Sequence, residues 1–221
     1  MSACFVTGSG TDVGKTFVAA ALIRALRAMG RGCAALKPVV SGFDPLAPQG
    51  SDPAVLLEAL GLAPDEEAIA KISPWRFRAP LSPDMAAARE NRAIDYDELA
   101  RACRRAVAAS PGVLLIEGAG GVMVPLAPGR TTLDLMTALR LPLVFVAGSY
   151  LGAISHALTG LEAARSRGLA VRAVVVNETP GSGVGLEETC AAVAGFCAAP
   201  VLALRRGEDA AQALAPLARA L

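Results

Sequence analysis

At 221 residues, with 53% hydrophobic and 19% charged residues, the chain is too apolar to be disordered and long enough to bury a core without disulfides or a structural metal. Its 21 basic and 20 acidic side chains leave a formal charge of +1, which offers no electrostatic footprint for nucleic acid or an anionic membrane, and 4% aromatics leave little surface for base stacking.

The first predicted strand is Ala3–Thr7, and it runs into Gly8-Ser9-Gly10-Thr11-Asp12-Val13-Gly14-Lys15-Thr16. A helix over Lys15–Met29 follows, and Gly30 suits its C-terminal turn. Strand, glycine-rich loop and helix in this order are the context of a phosphate-binding loop. Its glycines let backbone N–H groups face an anion, and the helix dipole adds positive potential. Lys15 would reach the β- and γ-phosphates of a nucleotide, and Thr16 would offer its hydroxyl to Mg²⁺. The spacing departs from GxxxxGK[ST]: five residues separate Gly8 from Gly14.

The second strand, Cys33–Leu36, ends in Lys37-Pro38-Val39-Val40-Ser41-Gly42. Lysine is scarce: only Lys15, Lys37 and Lys71 occur among the 21 basic residues. Lysine supplies a compact point charge where arginine supplies a planar fork, so two lysines at strand ends point to a chemical requirement. Lys37, beside the phosphate loop in a doubly wound sheet, could stabilise charge on a transferred phosphoryl group or a bound anion; a solvated lysine is the plainer reading. The Gly/Pro-rich stretch Val40–Ser51 reads as a mobile loop. Asp52 begins a helix over Asp52–Leu60, where it suits an N-cap or a third Mg²⁺ ligand, and the residues alone favour the cap.

Phe77–Asn91, with Pro80, Ser82 and Pro83, reads as irregular, and a helix follows over Tyr96–Ala109. The strand Gly112–Ile116 ends in Glu117-Gly118-Ala119-Gly120-Gly121. A carboxylate at a buried strand end needs a partner, and Mg²⁺ shared with Thr16 is the natural one. Later elements are a helix Thr132–Leu139, a strand Pro142–Ala147, a helix Ile154–Arg167, a strand Arg172–Val176, a helix Gly185–Ala198, a strand Pro200–Leu204 and a helix Asp209–Ala220. The N–H groups of the helix start at Leu151–His156 could bind a carboxylate. His156 reads as structural rather than as a catalytic base. Asn177, at the end of a strand, has a donor and an acceptor suited to the edge of a nucleobase, or is a turn residue before Thr179-Pro180-Gly181.

Several strands are apolar throughout, as burial on both faces requires. Strand–helix alternation over residues 1–221 predicts one α/β domain, with a single doubly wound, mostly parallel sheet and helices on both faces. Its ligands would sit beyond the carboxyl ends of the strands. The cysteines (Cys4, Cys33, Cys103, Cys190, Cys197) are odd in number and form no CxxC pair, and the one histidine leaves no zinc cluster. They read as buried apolar residues in a reducing compartment. No apolar run is long enough to span a membrane, and Asp12 and Lys15 stand where a signal peptide would be apolar. A soluble cytoplasmic protein is the expectation.

Phe5–Thr16, Lys37–Gly42, Ser51–Asp52, Glu117–Gly121, Leu151–His156 and Asn177 together resemble the dethiobiotin synthetase family. Lys-Pro-Val-x-Ser-Gly is the most specific of these segments, and the longer gap from Gly8 to Gly14 is the family's own loop variant. The resemblance implies the P-loop NTPase fold and a homodimer, with ATP, Mg²⁺, CO₂ and 7,8-diaminopelargonic acid as ligands and no nucleic acid or membrane partner. It implies a cyclo-ligase that forms carbon–nitrogen bonds: one amine becomes a carbamate, ATP phosphorylates it, and the second amine closes a ureido ring.

By the same resemblance Lys15, Lys37 and Thr11 would be catalytic. The nucleotide would lie on Gly10, Thr11, Asp12, Val13, Gly14, Lys15, Thr16, Glu117, Gly118, Ala119 and Gly120, with Asn177 reading the adenine. Thr16, Asp52 and Glu117 would hold Mg²⁺, which moves Asp52 away from a pure cap. Ser41 would bind the diamine end. Gly152, Ala153, Ile154 and Ser155 would receive the substrate carboxylate from the neighbouring subunit. Three segments depart from the family: Asp12 stands where Glu is also expected, Ser155 where Asn is familiar, and Leu204-Arg205-Arg206 replaces an apolar Pro-containing turn near the adenine pocket. Three rival readings are an ATP-dependent amidase of the cobyrinic acid type, a partitioning-type ATPase switch and a nucleoside-type kinase. The amidase would need a glutamine-using domain, the switch a lysine early in the loop, and the kinase gives Lys37-Pro38 no role.

Overall fold

The computed structural model describes residues 2–221. Six strands form the main sheet: β1 (Ser2–Gly8), β2 (Cys33–Leu36), β5 (Val113–Glu117), β8 (Leu143–Gly148), β9 (Val171–Asn177) and β10 (Val201–Leu204). Their order is β10-β9-β8-β1-β5-β2, and every pairing is parallel. All six lie where the apolar runs predict them. The chain leaves β1 toward the β2 edge and later adds β8, β9 and β10 on the other side, so its direction of winding reverses around β1. Ligand sites in such sheets form at that reversal.

Alternation along each strand divides the core in two. Phe5, Leu114, Ile116, Phe145, Val174 and Val176 face one side, packed with Leu99, Cys103, Met136 and Leu161 from α5 (Tyr96–Ala109), α6 (Thr132–Leu139) and α7 (Ala153–Ser166). Cys4, Val6, Leu115, Val144, Val146 and Val175 face the other, packed with Leu22, Leu26, Leu56 and Leu217 from α1 (Lys15–Ala28), α2 (Asp52–Ala59) and α10 (Ala215–Ala220). Burial of successive residues on opposite faces is why these strands read as continuous apolar runs. No helix among the described residues is long and apolar enough to cross a membrane.

Several expectations are corrected. β5 stands between β1 and β2, so Lys37 lies one strand further from the phosphate loop than a direct neighbour would. Val40 and Ser41 belong to a short strand, β3 (Val39–Ser41), which pairs in parallel with β4 (Trp75–Phe77) in a separate two-stranded sheet. Between them α3 (Glu66–Ile72) packs Ile69 against Val40, Phe43 and Leu57, a small apolar cluster with weak sequence periodicity. Phe77–Asn91 is not irregular throughout: α4 (Pro83–Arg89) starts at a proline that suits the first helical turn. An antiparallel ribbon of β6 (Pro125–Ala127) and β7 (Arg130–Thr131) leads into α6, whose Thr131 and Asp134 form a capping box. The helix expected over Gly185–Ala198 is the shorter α8 (Leu186–Ala194), and the terminal helix breaks at Leu214 into α9 (Ala210–Ala213) and α10, with Pro216 opening the second segment.

Candidate active site

The loop after β1 lies at the carboxyl end of an interior strand of the sheet. Ser9 N donates to Val146 O at 2.9 Å, which ties the loop to β8, and Gly14 adopts φ 92° just before α1. A side chain at Gly14 would be strained at that φ and would collide with the Asn177 amide nitrogen. The Gly118–Gly121 turn after β5 packs closely against this loop: a Cβ on Gly121 would lie 3.3 Å from Gly10 Cα. Glycines in both loops therefore permit two strand ends to meet around one space.

That space is a cleft of about 880 Å³. Thr11, Asp12, Gly14, Lys15, Thr16, Lys37, Ser41, Asp52, Glu117, Ala119 and Gly120 all border it, as the sequence reading requires. The stretch Pro80–Pro83 and Val124 complete its wall, and neither had a sequence signal for it beyond proline content.

At its floor lies a buried polar knot. The Lys37 ammonium is 2.6 Å from Glu117 Oε1 and 2.7 Å from Asp52 Oδ2, and it donates to Gly118 O at 3.1 Å. The Thr16 hydroxyl lies 2.9 Å from Asp52 Oδ1 and 2.7 Å from Glu117 Oε1, with one proton to serve both. Lys37 is 3% exposed and Glu117 1%. Burial alone would lower the Lys37 pKa, but the two carboxylates outweigh it and hold the ammonium above its usual range. Burial alone would raise Asp52, and Lys37 with its hydrogen bond outweighs that and keeps the carboxyl below its usual range. Asp52 is the first residue of α2, and Ser51 occupies the cap position without a side-chain cap bond. The reading of Asp52 as a capping side chain is thus replaced: its carboxylate turns into the knot.

Lys15 is a different kind of buried lysine. Its ammonium donates to Gly10 O at 2.6 Å, inside its own loop. Burial, and then the like charge of Lys37, pull its pKa down from 10.5 to about 8. Two lysines thus share one cleft at a cost in solvation that phosphate oxygens would offset.

The donor set fits Mg²⁺. Thr16, Asp52 and Glu117 offer hard oxygens, and Glu117 Oε2 is buried with no hydrogen-bond partner, an anionic oxygen that a cation would satisfy. Among the described residues there is no cluster of three or more His, Cys, Asp or Glu side chains.

Comparison with known proteins identifies the chemistry. A family model described as an AAA domain matches residues 2–204. The ATP-dependent dethiobiotin synthetase of Methylobacterium nodulans is 50% identical over 212 residues, covering 94% of each chain. That of Caulobacter vibrioides is 53% identical over 180 residues, covering 81% of each. The chain belongs to the ATP-dependent dethiobiotin synthetase family. Among solved structures, the septum site-determining protein MinD of Pyrococcus horikoshii, complexed with Mg-ADP, superposes with TM-score 0.60 at 14% identity, covering 99% of this chain and 95% of that one. The MinC:MinD cell division protein complex of Aquifex aeolicus gives 0.57 at 16%, covering 100% and 95%. At such identities the likeness concerns the fold, which is the P-loop NTPase-like α/β fold expected from the phosphate loop.

Not every residue expected in the synthetase site lines the cleft. Gly10 and Gly118 contribute carbonyls to Lys15 and Lys37 behind it. Val13 and Asn177 are joined by a hydrogen bond from the Asn177 amide to Val13 O at 3.2 Å, beside Gly14. The α7 start at Gly152, Ala153, Ile154 and Ser155 is apart from the cleft within one chain; Leu151 before it is 92% exposed. His156 is exposed and lies 2.9 Å from the Tyr150 hydroxyl. The sequence reading missed Ser73, fully buried, whose hydroxyl donates to Lys37 O at 2.7 Å while Lys37 N donates to Ile72 O at 2.9 Å. These bonds fix the backbone from which Lys37 projects. A serine between Ile72 and Pro74 carries no local signal for that role, because its partner is 36 residues away.

Proposed function

We propose that this synthetase carboxylates 7,8-diaminopelargonic acid and closes its ureido ring in the cleft above the knot, in a single domain, with release of ADP and phosphate. One substrate amine adds to CO₂ and loses a proton to give a carbamate. The carbamate oxygen attacks the γ-phosphorus of ATP, and the bond to ADP breaks. The second amine then attacks the carbamate carbon, the carbon–oxygen bond to phosphate breaks, the attacking nitrogen loses a proton, and the ring closes. The carbamate, the triphosphate and the mixed anhydride are all anionic, so the residues' main task is electrostatic.

Lys15 and Lys37 would hold the γ-phosphate and the carbamate together and oppose their mutual repulsion. Thr11 and Ser41 would orient the carbamate and the diamine; the Ser41 hydroxyl is buried without a partner, which leaves its donor available. Gly14 and the α1 start would cradle the phosphates, and Asn177 would read the adenine edge. Mg²⁺ on Thr16, Asp52 and Glu117 would supply neutralising charge at the phosphates. In a homodimer, Gly152–Ser155 of the partner would receive the substrate carboxylate. The cytoplasm, where ATP is available, is the proposed compartment.

The observation that carries this reading is the meeting of Lys15 and Lys37 in one cleft within a chain about half identical to ATP-dependent dethiobiotin synthetases. The test mixes purified protein with ATP, Mg²⁺, bicarbonate and 7,8-diaminopelargonic acid, and follows ADP together with the mass of the organic product. ADP release that requires the diamine and yields a cyclic urea is the expected result. Hydrolysis of ATP that ignores the diamine would overturn the proposal.

A further inference from the structure

The position of the Lys37 ammonium bears on how the cleft takes up its cation. The oxygens around it are Glu117 Oε1, Asp52 Oδ2 and Gly118 O, at 2.6, 2.7 and 3.1 Å. The Thr16 hydroxyl lies within hydrogen-bond distance of the same two carboxylates, with one proton between them. These carboxylates and Thr16 are the donor set assigned above to Mg²⁺. An ammonium and a divalent cation at close range among the same few oxygens compete for them, because each lies against a like charge.

We propose that Lys37 is the resident counter-ion of the metal site, and that divalent-cation entry and release of its ammonium toward the cleft are a single exchange. The inference rests on the metal-ligand reading given under the proposed function and adds the coupling. Two carboxylates carry charge −2, and Lys37 neutralises half of it. Glu117 Oε2 remains buried and unpartnered, so the ammonium holds the site without satisfying it. A divalent cation that takes the carboxylates leaves Lys37 in excess, in a cleft that already holds Lys15. That surplus positive charge is relieved only by anionic groups in the cleft. Three consequences follow for this chain. Metal alone binds weakly, metal and nucleotide favour one another, and the lysine is delivered to the anions at the moment the metal arrives. The backbone bonds of Lys37 to Ile72 and Ser73 hold its stem, so the exchange is a rotation of the side chain.

The test compares nucleotide-free wild type with Lys37→Met by titrating Mn²⁺ and reading the free-Mn²⁺ electron paramagnetic resonance signal. Removal of the competing ammonium is expected to tighten Mn²⁺ binding at least ten-fold. The variant's melting temperature should also rise more with Mn²⁺ than the wild type's, because its carboxylates lack a counter-ion. Equal or weaker binding by the variant overturns the exchange. Failure of both forms to bind Mn²⁺ removes the metal site, and the proposal with it.

A measurement on the wild type guards against a variant that does not fold. The protein has three lysines, so ¹⁵N-lysine labelling gives three side-chain ammonium signals. The Lys37 signal should stay in place with ADP in EDTA and move when Mg²⁺ is added, while that of Lys71, exposed on α3, does not. A Lys37 signal unmoved by Mg²⁺ overturns the exchange. These readouts are independent of the diamine: turnover of 7,8-diaminopelargonic acid with unchanged Mn²⁺ affinity would sink the exchange and leave the synthetase reading in place.

Discussion

The floor of the cleft and the start of α7 are both strand-end regions assigned to anionic groups, yet they are built in opposite ways. In the knot Lys37 and Glu117 are buried while Asp52 and Thr16 are half-buried at its cleft side, and each charge finds a partner from a different part of the same chain. The α7 start is open: Gly152 takes φ 95° with no side-chain cap, Leu151 is almost fully exposed, and Ser155 is exposed. The knot draws all its residues from one chain, whereas the α7 start, where Ala153 N already donates to Tyr150 O at 2.8 Å, is not brought to that chain's own cleft. The difference teaches where each region's strength comes from. Buried charges depend on their partners being present, and an exposed helix end depends on what is docked against it.

The sharpest way to break that contrast is to remove a partner from the knot. Glu117→Ala leaves Lys37 buried with Asp52 alone, and breaking a buried pair from one side costs about 3–5 kcal/mol. Urea denaturation should show a loss in that range. A loss smaller than that of an ordinary surface substitution would mean that the knot is not a charge-paired unit.

The next effect is set by pH. Lys15 has its pKa pulled down to about 8 in the fold, against 10.5 ordinarily. Above pH 8 the unfolded chain therefore holds a proton that the folded chain has lost, so this group makes the fold more stable as pH rises from about 8 toward 10.5. In the role proposed for Lys15, phosphate binding has the opposite sign, because it needs the ammonium. ADP affinity should fall as pH is raised through about 8, by at most about ten-fold per unit, and Lys15→Met should abolish the dependence. Calorimetric titration at pH 7, 8 and 9 checks this. An affinity that is level across the range would show that Lys15 keeps its proton, or does not reach the phosphates.

The smallest effect belongs to the open region. Ser155→Ala removes one hydroxyl from the α7 start, worth about 1 kcal/mol if it serves the substrate. The KM for 7,8-diaminopelargonic acid should rise a few-fold, with ADP affinity and melting temperature unchanged. A shift in ADP affinity instead would place α7 on the nucleotide side and erase the distinction between the two regions.

Much of this was legible from local signals. The six strands of the main sheet are apolar runs between glycine, proline and helical segments, and burial on both faces makes such runs visible without tertiary information. The phosphate loop was legible because its geometry demands glycine and its chemistry demands lysine and threonine at fixed spacing. Elements that were not legible are held by distant contacts. α3 packs into a four-residue cluster with Val40, Phe43 and Leu57, β3 and β4 are three residues each, and α4 begins in a stretch rich in proline and serine.

The sequence by itself determined the α/β class, the strand ends that carry chemistry and the residue types present there, because periodicity and loop chemistry act within a few residues. It also determined that Lys15, Thr16, Lys37 and Glu117 stand at such ends. Only the tertiary structure decided that β5 lies between β1 and β2, that Asp52 pairs with Lys37, and that Lys37 is seated among the carboxylates instead of reaching freely into the cleft. Ser73 behind Lys37 belongs to the same class. Those outcomes depend on which groups meet after the chain closes loops of 36 to 101 residues, and on the penalty for burying a charge alone. Neither quantity is written in any short stretch of the chain.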